Sequence, residues 1–142
     1  MARFRFAFLL DLARDERETA ARAMQEAQGR WLTAQGKLDQ LDQFRTEYRA
    51  RLAGQSQGGM TVAQWRDYQL FLAKLDAACE QQQKEISRLL QLYEQSRTAW
   101  QECERKVNAF ETLQLRHEQK ELQREAKYEQ KLLDEFNSRR ER

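Results

Sequence analysis

Proline is absent from the 142 residues, glycine occurs five times, cysteine twice and histidine once. Without proline and with so little glycine, the chain lacks the turn chemistry that a β-sandwich or barrel needs at every strand connection. One histidine excludes a histidine-based metal cluster or catalytic dyad. Two cysteines at unrelated spacing give neither a disulfide framework nor a zinc site, which points to a reducing compartment. Charge of one sign is also missing. The formal net charge is +2, so there is no general pull toward nucleic acid or an anionic membrane. No segment approaches the roughly 18 apolar residues of a membrane span. The run Phe4-Arg5-Phe6-Ala7-Phe8-Leu9-Leu10 is too short for a signal core and is interrupted by Asp11, Arg14 and Asp15. A soluble, cytoplasmic protein without direct membrane insertion is expected.

What is abundant is Ala, Leu, Gln, Glu, Arg and Lys, with 34% charged residues and a mean hydropathy of −0.99. This is the composition of long helices with too little apolar material for a thick core. Loop residues cluster once, at Gly54-Gln55-Ser56-Gln57-Gly58-Gly59. Directly afterwards Thr61-Val62-Ala63-Gln64 has the form of a capping box, in which hydroxyl and amide side chains satisfy free backbone donors at a helix start.

Steps of three and four residues select Leu10, Ala13, Arg17, Ala20, Met24, Ala27, Trp31, Ala34, Leu38, Leu41, Arg45, Tyr48 and Leu52 before that cluster. After it they select Trp65, Tyr68, Leu72, Leu75, Cys79, Gln82, Ile86, Leu89, Tyr93, Ser96, Trp100, Cys103, Val107 and Phe110. A 3.5-residue apolar repeat held this long marks a coiled-coil seam. The short connection makes each stretch the other's partner. The expected fold is all-α, an antiparallel coiled-coil hairpin forming a single domain: first helix 1–53, tip 54–60, paired second helix 61–110, and an unpaired helical extension 111–142. Folding about residue 57 places Leu10 near residue 104 and Phe4 near Phe110. Trp31, Trp65, Tyr93 and Trp100 supply the bulk of the seam, and the small Ala13, Ala20, Ala27 and Ala34 allow close approach.

In the extension the seam frame falls on Gln114, His117, Glu121 and Arg124 and loses its apolar character. A shifted stripe of Leu115, Leu122, Ala126, Leu133 and Phe136 replaces it, with Arg116, Lys120, Arg124, Lys127 and Lys131 on another face. That face is either solvated or a partner surface. Phe4, Phe6 and Phe8 similarly cap the open end of the seam, meet a protein partner, or touch a membrane interface.

A two-helix hairpin has no concave interior in which catalytic groups converge, and the glycines lack a following Lys-Ser/Thr for a phosphate loop. No enzyme activity and no cofactor or metal are expected. Cys79 and Cys103 lie about 36 Å apart along one helix, too far to bridge within the chain. Near the tip Phe44 and Phe71 both fall at heptad position g and stand side by side outside the seam, above Leu41, Tyr48 and Leu75. The opposite edge carries Gln35, Asp42, Arg49, Gln69, Asp76 and Gln83. An aromatic pair rimmed by polar residues is either a binding hot spot or the margin of a wide seam.

The chain resembles the FliJ family of flagellar export proteins. The resemblance is carried by Leu10-Leu12-Ala13, Glu47-Tyr48-Arg49, Trp65-x-x-Tyr68-x-x-Phe71-Leu72-x-x-Leu75, Ala99-Trp100, Glu129-Gln130-Lys131 and Leu133-Asp134-Glu135-Phe136, in that order around one short loop. It implies a non-enzymatic component of flagellum biogenesis and motility, hence chemotaxis, working in type III protein export. The implied site is cytoplasmic, peripherally associated with the inner-membrane export apparatus. The implied partners are the export ATPase FliI with its regulator FliH, the cytoplasmic domain of the gate protein FlhA, and export chaperones; nucleic acid is not among them. Family members resemble the central stalk of rotary ATPases. The family's gate-binding surface matches Leu41, Phe44, Tyr48, Phe71, Leu75 and Ala78, with Lys37 and Gln82 at two neighbouring polar positions whose identities differ from the family's. The resemblance also implies that the free ends of the hairpin, including the extension 111–142, enter the ATPase ring, and in the extension Arg116, Lys120, Arg124, Lys127 and Lys131 are the candidate contact residues. The equivalent stalk of a virulence injectisome and a general export chaperone or scaffold are the alternatives.

Overall fold

A computed structural model describes residues 5–141. It contains two helices, α1 (Ala7–Gln57) and α2 (Val62–Glu141), packed as an antiparallel hairpin in which α2 continues past the start of α1. The capping box forms as the sequence requires. The Thr61 backbone N–H donates to Gln64 Oε1 at 3.1 Å, and the Gln64 N–H donates to Thr61 Oγ1 at 3.2 Å. Two orphan donors at the start of α2 are thereby satisfied.

The turn is shorter than the glycine cluster suggested. α1 runs through Gly54 to Gln57, because one glycine among good helix formers costs only about 1 kcal/mol and does not stop a helix. The stop is the Gly58-Gly59 pair. The Gly58 N–H donates to the Gln55 carbonyl at 3.1 Å, and Gly59 takes φ +86°, a left-handed conformation that glycine adopts without Cβ strain. Moving the turn along the chain moves the register with it. Leu10 packs in one cluster with Val107, three residues beyond the position expected from a fold about residue 57.

Two compact units make up the chain. In Arg22–Thr98, which holds the turn, Ala34, Leu52, Leu72, Leu75, Cys79 and Leu89 are buried. Trp31 stacks on Tyr93 with centroids 5.7 Å apart and planes 13° from parallel. The seam's polar residues in this unit are bonded. Gln82 Nε2 donates to the Ala34 carbonyl at 2.9 Å, a reach that the small side chain of Ala34 leaves open. Arg45 pairs with Asp76 across the hairpin at 3.1 Å, and Ser96 Oγ donates to the Tyr93 carbonyl at 2.7 Å. Trp65 departs from the expected seam role, with 43% of its surface exposed. It lies in the first turn of α2, where the seam ends at the turn.

In the other unit, Met1–Ala21 with Ala99–Arg142, Leu10, Ala13 and Val107 form the buried cluster and Phe110 packs against it. Phe6 lies 6.4 Å from Phe110 between centroids; the expected Phe4 contact lies outside the described residues. Trp100 is half-buried. Ion pairs flank the cluster: Arg17 with Glu104 and Arg14 with Glu111, both at 3.4 Å, and Lys106 with Glu16 at 3.5 Å. Arg17 is the polar residue on the seam here, so its charge is met from the facing helix. Past Phe110, partial burial stays on Gln114, His117 and Glu121, while Leu115, Leu122, Ala126, Leu133 and Phe136 are exposed.

Candidate functional site

Heptad geometry sets the two edges of the hairpin near its turn apart. On one edge the rings of Phe44 and Phe71 meet edge-on with centroids 6.3 Å apart, and they remain 49% and 38% exposed. Tyr48 joins them, 4.6 Å from Phe71 and 5.1 Å from Tyr68. The four rings form a connected aromatic surface, with ring separations typical of favourable offset and edge-to-face packing. Leu75 is buried, and Leu41 and Ala78 are half-buried. Of the six residues expected here, Phe44, Tyr48 and Phe71 meet in ring contacts, and Leu41 lines a groove with Phe44. Tyr68, assigned from the sequence only to the seam, joins the ring cluster through Tyr48; its i−3 spacing from Phe71 was the signal that could have placed it there.

Beside the rings an open groove of about 380 Å³ is lined by Lys37, Gln40, Leu41, Phe44 and Gln82. The Gln82 amide is already engaged by the Ala34 carbonyl, so Lys37 and Gln40 contribute the polar groups at its mouth that are not tied inward. Burial pushes the Tyr48 hydroxyl above the ordinary tyrosine range, with the charges of Tyr68 and Asp67 adding to the effect. The phenol therefore stays protonated at neutral pH and offers a donor at the edge of an apolar patch.

The opposite edge carries an ionic network that the sequence reading did not assemble. Arg45 Nη2 donates to Asp42 at 2.5 Å and Arg45 Nη1 to Asp76 at 3.1 Å, while Arg49 Nη2 reaches the same Asp76 oxygen at 3.2 Å. The bonds to Asp42, then Asp76, hold the Arg45 guanidinium above its ordinary pKa. Such an edge is charge-satisfied within the chain and gives a partner little apolar area.

Among the described residues no three His, Cys, Asp or Glu side chains gather as metal ligands, and no helix is long and apolar enough to cross a membrane. Cys79 is a buried thiol and Cys103 a half-buried one. The arrangement is suited to binding through an exposed ring surface.

The family model described as "Flagellar FliJ protein" matches residues 1–142. The chain belongs to the FliJ family. It is 32% identical over 133 residues to the Flagellar FliJ protein of Escherichia coli (strain K12), covering 94% of this chain and 90% of that protein. It is 31% identical over 131 residues to the Flagellar FliJ protein of Salmonella typhi, covering 92% and 89%. Membership of the family makes the protein a component of flagellar export, concerned with flagellum biogenesis and protein export. The basic residues Arg116, Lys120, Arg124, Lys127 and Lys131 are all exposed along the extension of α2, where Arg124 is paired with Glu121 at 3.4 Å.

Proposed function

We propose that this FliJ-family chain is a non-enzymatic coupling element of the flagellar type III export apparatus. Its α2 extension contacts the hexameric export ATPase FliI, together with the regulator FliH, in the manner of a rotary stalk. The aromatic surface of Leu41, Phe44, Tyr48, Phe71, Leu75 and Ala78 meets the cytoplasmic domain of the gate protein FlhA. The chain also assists the chaperones that deliver export subunits, and it works in the cytoplasm at the inner-membrane export apparatus.

The observation that carries this reading is the asymmetry of the two edges near the turn. One presents rings that are about half exposed, and the other is closed by Arg45, Arg49, Asp42 and Asp76. A coupling element needs two differently surfaced regions, and the polar extension of α2 supplies the second. Helix backbone bonding and seam packing transmit position along such a hairpin.

ATP hydrolysis by the purified cognate export ATPase, titrated with the full chain and with a chain truncated after Phe110, tests the proposal. Stimulation by the full chain that is lost on truncation supports the ring contact. Absence of binding and stimulation by both forms removes the ring from the mechanism and favours a gate-tethered chaperone.

A further inference from the structure

The extension of α2 carries a second seam that no described part of the chain covers. Leu115, Leu122, Leu133 and Phe136 are 56–65% exposed, and Ala126 is exposed as well. They lie on a regular alternation of four and three residues, 115, 119, 122, 126, 129, 133 and 136, whose polar members are Gln119 and Glu129. The alternation is that of a two-stranded coiled coil, and the segment is continuous helix through Glu141.

We infer that this stripe is an interface for a second copy of the same chain, docked antiparallel. A parallel pair stacks identical positions and presses Glu129 against Glu129 of the second copy inside the contact, which is costly for two carboxylates. Antiparallel packing removes that clash and has a register in which like meets like. Leu115 packs on Leu133 of the second copy, Leu122 on Ala126, and Phe136 against the methyl of Thr112. Gln119 faces Glu129, amide to carboxylate, and the two-fold axis repeats every layer.

The chain's own hairpin uses the same device. Two polar seam residues there are met from the facing helix, Arg17 by Glu104 and Gln82 by the Ala34 carbonyl. The contact spans residues 112–136, about 36 Å at the helical rise. A strip of that length on both copies reaches the range near 1,200 Å², roughly where specific complexes begin. Glu125 faces its own copy on the exposed flank, so association tightens as added salt screens that repulsion.

The inference is independent of the ring contact, since a chain that stimulates the ATPase but stays monomeric overturns this proposal alone. Sedimentation equilibrium of the full chain should show a monomer–dimer equilibrium up to about 100 µM. Leu122→Arg should raise the dissociation constant about tenfold or more, with helix content by circular dichroism unchanged because Leu122 is exposed. Orientation is read from single cysteines in a Cys79→Ala, Cys103→Ala background. In the antiparallel register Leu122 faces Ala126 of the second copy, so Leu122→Cys mixed with Ala126→Cys should cross-link into a mixed 122–126 dimer under mild oxidation, while neither variant should cross-link efficiently with itself. A concentration-independent monomer mass, or cross-linking of each variant with itself and not between the two, overturns the proposal.

Discussion

Phe44 and Arg45 are neighbours in sequence and serve opposite edges of the hairpin: the Phe44 ring meets Phe71 edge-on at 6.3 Å, while the Arg45 guanidinium binds Asp76 at 3.1 Å. One residue step on a helix turns a side chain by about 100°, enough to divide an exposed aromatic surface from a closed ionic one. Binding and rigidity are therefore carried by different residues and are separable by mutation.

Phe44→Ala should leave the hairpin folded. Phe44 is about half exposed, so its loss removes the edge-to-face contact, worth about 0.5–1.5 kcal/mol, and little else. Trp31→Ala removes the ring stacked on Tyr93 and should cost about 3 kcal/mol. Urea unfolding followed by circular dichroism separates the two. Gate binding should be lost in Phe44→Ala at full helix content, and equal helix loss in both variants defeats the distinction.

Two glycine substitutions should have opposite signs. At Gly54 an added Cβ meets nothing within 4 Å in a helical position, so Gly54→Ala should stabilise by about 0.5–1 kcal/mol. Gly59 has φ +86°, and Gly59→Ala should destabilise by about 1 kcal/mol because a Cβ is strained there. Midpoints of urea denaturation decide it. Two shifts of the same sign contradict a helix that passes through Gly54 and stops at Gly58-Gly59.

The raised pKa of the Tyr48 hydroxyl has a defined direction in pH. The folded state keeps this proton longer than the unfolded state, so the associated stability is present below the ordinary tyrosine range. It is lost as pH rises through the folded value. Absorbance titration of the phenols should include a step above the ordinary tyrosine range, and Tyr48→Phe should remove that late step. A late step that survives in Tyr48→Phe assigns it to another tyrosine.

The seam was legible because a 3.5-residue repeat constrains every turn of the paired stretches. All thirteen positions picked out in α1, from Leu10 to Leu52, are buried or half-buried, so periodicity alone located that face. Thr61 and Gln64 were legible for a local reason, since a capping box needs only its own four residues. The turn was not, because Gly54 and Gly58 look alike in sequence and only the energetic weakness of a lone glycine as a stop separates them. Trp65 was misjudged because its heptad position is right but it lies in the first turn of α2, where the seam ends at the turn. The aromatic edge was legible at Phe44 and Phe71, whereas Tyr68 and the sharing of Asp76 by Arg45 and Arg49 depend on side-chain reach.

The Arg45 network gives the last test, because a charge on a seam position is not obviously stabilising. Arg45 is the more buried partner and Asp76 is about half exposed, so solvent screens the pair and its net contribution should be about 1 kcal/mol or less. Arg45 also fills seam volume with its aliphatic stem, and its Nε atom is buried without a hydrogen-bond partner in the described structure. Arg45→Met keeps the stem and removes the buried polar atom. It should be neutral or stabilising by up to about 1 kcal/mol, whereas Arg45→Ala should lose about 1 kcal/mol through packing. Asp76→Asn should weaken the hairpin slightly, by an amount that shrinks as salt is raised. A loss above about 2 kcal/mol in Arg45→Met would mean that the charges bind the helices together more strongly than partly exposed pairs do.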